Sequence, residues 1–234
     1  MPGRQKPEDI FLDAFVHAPT RELAPGQVLL AAGAPADEVF NILDGMLMMS
    51  RTGSDGRRQV LSFLFRDNFI GLTTADRYYF TVQAVTAARV ACRPRADFES
   101  RLARDPEADR TFRNMTLRVL EDLLDKIYSL GQRTALERLA VFLLYLRHSH
   151  RLAHGMGEDG DPASNEVSLP MTREDIADYL GLQKETVSRS FGQLEKRGLI
   201  RRVDNHRVQL VDLERLRELA GVMDFASPQR LPRS

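Results

Sequence analysis

The sequence predicts an α+β chain in three consecutive parts: a β-roll over residues 1–106, a long dimerisation helix over 107–133, and a winged helix-turn-helix over 134–234. Three observations predict this. Turn signals divide residues 22–100 into short apolar runs of strand length. An apolar stripe with alternating spacings of four and three follows. Last comes a capped helix, a glycine turn and a second helix with a basic face.

In the first part, Pro25-Gly26, Gly33, Asp44-Gly45, Gly53 to Gly56 and Asp67-Asn68 mark the turns. Between them, Val28 to Leu30, Val39 to Leu43, Met46 to Met49, Gln59 to Phe65 and Thr81 to Val85 are strand-sized, and no helical period fits them. An antiparallel β-roll or jelly roll accommodates such a set. Arg89 to Arg93 is also strand-like and carries the single cysteine, Cys92, for which a buried apolar role is expected.

After Pro94 the pattern becomes helical, with a short helix at Ala96 to Leu102 and a long one starting at Pro106. In the long helix Thr116, Leu120, Leu123, Ile127 and Leu130 form a coiled-coil-like seam, widened by Phe112, Met115, Val119 and Leu124. A stripe this wide can pack one edge on the β domain and the other on a partner. Phe112, Thr116, Leu120, Leu123, Ile127 and Leu130 are therefore the candidate homodimer interface. A further helix, Ala135 to His148, buries Leu136, Leu139, Phe142, Leu143 and Leu146, and Gly155 to Asn165 has the composition of a surface loop.

From Met171 to Gly198 the residues spell a helix-turn-helix. Thr172 and Asp175 make a capping-box-like start, Ile176, Tyr179 and Leu180 an apolar face, and Ala177 a small residue for a close crossing. Gly181 supplies the left-handed turn. The second helix buries Val187, Phe191 and Leu194 and turns Lys184, Glu185, Ser188 and Arg189 outward. Leu199 to Val203 and Arg207 to Val211 then form a hairpin wing. Net charge is zero, with 33 basic and 33 acidic residues, yet Lys184 to Arg207 holds seven basic against three acidic. That local excess suits a phosphate-facing surface, and the exposed first turns suit a major groove.

With 43% hydrophobic and 28% charged residues, the composition is that of a soluble globular protein. No apolar stretch reaches the roughly 20 residues of a membrane span, and the polar start Met1 to Asp9 lacks a signal peptide's features, so a cytoplasmic location is expected. One cysteine excludes an internal disulfide framework. No phosphate-binding glycine loop, nucleophile motif or metal-ligand set is found, which argues against an enzyme. His148, His150 and His154 beside the acidic loop read as solvated histidines rather than a metal site.

In its order of parts the chain resembles the Crp/Fnr superfamily of bacterial transcription regulators, whose β-roll is of the cyclic-nucleotide-binding type. Leu169-Pro-Met-Thr-Arg-Glu-Asp-Ile-Ala-Asp-Tyr-Leu-Gly-Leu and Glu185-Thr-Val-Ser-Arg look closest to the Fnr and FixK branches. The resemblance implies base reading by Glu185, Ser188 and Arg189: Arg189 donating to guanine O6 and N7, Glu185 accepting from a cytosine amino group, and Ser188 near an A·T pair. It implies a TTGA-like inverted repeat in double-stranded DNA, bound by a homodimer that contacts RNA polymerase, in low-oxygen or nitrogen-related control. Thr172, Gln183, Lys184, Thr186 and Arg201 are the candidate phosphate contacts. Gln183 stands at the cap of the second helix, where Ser or Thr is preferred.

The resemblance speaks against cofactors. Cyclic-AMP sensors place a glutamate, an arginine and a serine where this chain has Leu72, Tyr78 and Tyr79, and the adjacent Arg77 is one residue out of phase. The cysteines that hold an iron-sulfur cluster in oxygen-sensing Fnr proteins are missing. The expectation is no cofactor and no metal, with Tyr78, Tyr79 and Phe80 filling the pocket. A ligand-gated or haem-gated sensor on the same scaffold stays open, His17 being one further histidine.

Overall fold

The structure is a computed structural model and describes residue 15 and residues 17–153 and 165–221. The chain divides into two compact units, 1–120 and 121–234, with the division inside a helix. The expected loop from Gly155, and His154 before it, lie outside the described residues; Asn165 is described.

The first unit is built on eight strands: β1 Thr20–Leu23, β2 Val28–Leu30, β3 Glu38–Asp44, β4 Leu47–Thr52, β5 Arg58–Leu64, β6 Phe69–Ile70, β7 Thr81–Ala84 and β8 Ala88–Pro94. They form two antiparallel four-stranded sheets, ordered β1-β8-β3-β6 and β2-β7-β4-β5. Each sheet mixes early and late strands, as a jelly roll does. Alternation explains the interior: Phe40 and Ile42 of β3, Leu47 of β4, Val82 of β7 and Val90 of β8 point into one core. The Asp44-Gly45 turn requires glycine, since φ is +88° and a Cβ would collide with the Ala87 carbonyl.

Sequence reasoning gave six of these strands, five of them within a residue or two and β4 ending three residues beyond the expected Met49. It left β1 and the two-residue β6 unnamed, both being short and lying at sheet edges.

Helices α1, Arg95–Arg104, and α2, Pro106–Gln132, follow. Asp105 caps α2, its carboxylate accepting from the N–H groups of Glu107 and Ala108, and Pro106 occupies the first helical position, where no N–H is needed. On the other face of the β1-β8-β3-β6 sheet, Val39 and Ala91 meet an aromatic cluster. There Phe98 of α1 stacks on Phe69 at 4.9 Å and meets Phe112 of α2 edge-on at 5.8 Å. Phe112, expected in the dimer seam, is thus taken up by its own unit, because its ring lies on the sheet side of α2.

The second unit contains the rest of α2, then α3 Ala135–Ala153, β9 Glu166–Ser168, α4 Arg173–Leu180, α5 Lys184–Lys196, β10 Ile200–Arg202, β11 Arg207–Leu210 and α6 Leu213–Ala220. Leu139, Phe142, Leu143 and Leu146 of α3 are fully buried and make the floor on which the other helices rest. The helix runs five residues past its expected end at His148. The wing has a third strand that sequence reasoning missed: β9 pairs with β11, placing Val167 opposite Val208. Helix α6, also missed, is capped by Asp212, ends at left-handed Gly221 and packs on α3.

Phe98 is fully buried and meets three aromatic neighbours. Phe98→Ala is expected to lower the stability of the first unit by about 3–5 kcal/mol. Thermal or urea unfolding checks this as an earlier transition.

Candidate nucleic-acid interface

The helix-turn-helix is set by local chemistry at three points. At the start of α4 the Thr172 hydroxyl accepts from the Asp175 N–H at 3.0 Å, while the Asp175 carboxylate accepts from the Thr172 N–H at 3.0 Å. This capping box satisfies two otherwise orphaned backbone donors. At the end of α4, Gly181 adopts φ +63° and its N–H donates to the Ala177 carbonyl. Between the helices, the Arg173 guanidinium lies 3.8 Å from the centre of the Phe191 ring. Burial, and then the charge of Arg202, press the Arg173 pKa below its usual value.

Helix α5 buries Val187, Ser190, Phe191 and Leu194. The opposite face is solvent-exposed and carries Lys184, Glu185, Ser188 and Arg189, as the sequence predicts. The Ser188 hydroxyl donates to the Lys184 carbonyl at 3.1 Å, so it must rotate before it can donate elsewhere, while its oxygen stays able to accept. Gln183 is exposed and makes no capping bond. Arg201 is exposed on β10, and Thr186 is half-buried. The Thr172 hydroxyl is already used in the capping box, where it also donates to the Asp175 carboxylate.

Gln193 and Arg197 were not singled out from the sequence as contacts. With Thr186 and Arg189 they line an open cleft of about 390 Å³ between α5 and the first turn of α3. Their spacing of three and four residues is a helical stripe, a signal present in the sequence. Arg202 pairs with Glu195 at 3.2 Å and ties the wing to α5. At the wing tip Arg207 bonds to Asp204 at 2.8 Å and to Glu166 at 3.0 Å. The His206 N–H and then the Arg207 side chain hold the Asp204 carboxyl below its ordinary value.

Along α2, Leu120, Leu123 and Ile127 are exposed, at 51%, 47% and 66%, and Thr116 is also exposed. Leu117, Val119, Leu124 and Tyr128 extend the exposed apolar surface. Leu130 is half-buried, its Cδ2 being 3.2 Å from where a Cβ on Gly181 would lie.

In the β-roll, Tyr78 and Phe80 are buried in the core, and the Tyr78 hydroxyl donates to the Glu38 carbonyl at 2.6 Å. Tyr79, expected beside them, is instead 56% exposed and faces Arg51. Successive residues of an extended chain point to opposite sides, so Tyr78 and Phe80 can share an interior only if Tyr79 leaves it. Arg77 donates to the Gly33 carbonyl at 2.6 Å, and Leu72 packs beside the Phe98 cluster. Cys92 is buried, and burial pushes its thiol pKa up. His148 and His150 are half-buried, and no group of three metal-ligating side chains occurs among the described residues.

Residues 20–105 match the cyclic nucleotide-binding domain, and residues 137–219 match the Crp-like helix-turn-helix domain. The nitrogen fixation regulation protein FixK of Bradyrhizobium diazoefficiens is 33% identical, over 90% of this chain and 86% of its own length. The chain belongs to the Crp/Fnr family. Another relative of this Crp/Fnr regulator is the transcriptional activator protein FnrL of Cereibacter sphaeroides, 32% identical over 86% of this chain and 80% of its own length. Among solved structures, FixK2 from Bradyrhizobium japonicum superposes with a TM-score of 0.76 and 28% identity, covering 86% of this chain and 96% of that one. Among the described residues, no helix of the Crp/Fnr chain is long and apolar enough to cross a membrane.

The capping box gives a direct stability test. Thr172→Ala is expected to cost about 1 kcal/mol, while Thr172→Ser keeps most of it. A pair of thermal melts checks the difference.

Proposed function

We propose that the protein is a cytoplasmic transcription activator that binds a TTGA-like inverted repeat as a homodimer and contacts RNA polymerase. The observation that carries this reading is the division of α5 into a buried stripe, Val187, Phe191 and Leu194, and an exposed face, Glu185, Ser188 and Arg189. An exposed helix face with one arginine and one glutamate a turn apart presents donors to guanine and an acceptor to cytosine. Lys184, Gln183, Thr186, Arg201 and the backbone around Thr172 flank it and contact phosphates. The Arg202 to Glu195 pair joins α5 to the wing strand that carries Arg201.

Dimerisation is the role proposed for the exposed apolar face Leu120, Leu123 and Ile127, with Thr116 at its edge. A surface of this composition is costly in water and is removed by a second copy of the same helix. Control without a cofactor is the reading supported by the β-roll, whose core positions are taken by Tyr78 and Phe80. Low-oxygen or nitrogen-related target genes are proposed from the likeness to FixK and FnrL alone.

Binding to a duplex carrying the inverted repeat, compared with single-base variants, tests the base-reading roles. Arg189→Ala is expected to lose about 1–3 kcal/mol of discrimination at one guanine. Arg201→Ala is expected to weaken all duplexes alike and to reduce the slope of log affinity against log salt by about one. An Arg189→Ala protein that still discriminated at every position as the wild type does would remove Arg189 from the reading.

A further inference from the structure

Arg138 lies in the first turn of α3 and reaches back over the corner between α2 and α3. Its three nitrogens donate to three backbone carbonyls: Nε to Arg133 at 2.9 Å, Nη1 to Leu180 at 2.9 Å and Nη2 to Leu130 at 2.7 Å. Leu130 is in the last turn of α2, Arg133 is in the connection, and Leu180 is the last residue of α4. Terminal carbonyls of a helix have no partner within it and carry its partial negative charge, so a cation bonded to them is favoured twice. Here one guanidinium serves the ends of two helices at once. Beneath it the Glu137 carboxylate accepts from the Thr134 N–H at 2.8 Å and the Thr134 hydroxyl accepts from the Glu137 N–H at 3.4 Å, which caps α3. Gly181 closes on Leu130 in the same place.

We propose that Arg138 is the positioning residue that fixes the helix-turn-helix to the end of α2 and thereby sets the spacing between half-sites that the protein accepts. This rests on the dimeric reading given above. If two copies meet along α2, the separation of their α5 helices depends on the angle at which each helix-turn-helix leaves α2. The arginine bonds to both sides of that joint. A fork of three aligned donors resists rotation, whereas a single ammonium can follow either helix end.

The test uses the full-length protein and duplexes with two TTGA half-sites in inverted orientation, at the preferred central spacing and with one base pair added or removed. A duplex with a single half-site serves as the reference. Wild-type protein is expected to favour one spacing by tenfold or more. Arg138→Met is expected to bring the three spacings within about threefold of each other while changing affinity for the single half-site by less than threefold. Binding is read at a temperature where circular dichroism shows the variant fully folded, so a loss of stability alone does not move the ratio. Should Arg138→Met not fold, Arg138→Lys carries the same expectation, because lysine cannot bridge the three carbonyls. A folded variant that retains the wild-type spacing ratio overturns the role of Arg138. Wild-type protein that binds the repeats no better than the single half-site overturns the dimeric reading instead.

Discussion

Helix α5 cannot turn about its own axis, and the rest of the surface follows from that. Val187, Phe191 and Leu194 are all at most 1% exposed, and rotating the helix by one residue position would bring Ser188, Gly192 and the charged Glu195 into their places, or Thr186, Ser190 and Gln193 in the other direction. Burying an unpaired charge costs several kcal/mol, more than any single contact on the outer face could return. The outward direction of Glu185, Ser188 and Arg189 is therefore a consequence of the core, not of the surface. Thr172, Gly181 and the Arg173 guanidinium over Phe191 set where the helix begins and what it leans on.

The β-roll obeys the same kind of constraint with the opposite outcome. Its buried core includes Tyr78, whose hydroxyl donates to the Glu38 carbonyl and accepts from the Glu38 N–H. Within the residues that match the cyclic nucleotide-binding domain, the core holds Phe40, Tyr78 and Phe80 among aliphatic residues, and Leu72 packs beside Phe98. One face of the β1-β8-β3-β6 sheet packs into this mainly aliphatic core, and the other onto the aromatic cluster of Phe15, Phe69, Phe98 and Phe112. That packing reaches α2 through Phe112, so the start of the long helix is held to the β-roll.

Much of this was legible in the sequence because it depends on neighbours a few residues apart. The capping residues Thr172 and Asp175, the glycine at 181 and the apolar period of α5 all act within one or two turns. What was not legible depends on distant partners. Strand β9 is three residues long and exists because β11, forty residues on, pairs with it. Phe112 fits an apolar stripe equally well whichever surface covers it, and the aromatic rings at 69 and 98 decide. Arg138 looks like any cation near a helix start until Leu130 and Leu180 are brought beside it. Tyr79 is the exception: the alternation that sends it outward was readable from Tyr78 and Phe80.

The most direct measurement is selection of bound duplexes from a randomised pool by the purified full-length protein. If α5 reads bases from two symmetry-related copies, the recovered sequences will share a two-fold symmetric motif with a guanine and a cytosine at fixed places in each half and one central spacing. Recovery of an asymmetric motif, or of sequences with no shared motif, would contradict the central role given to the outer face of α5.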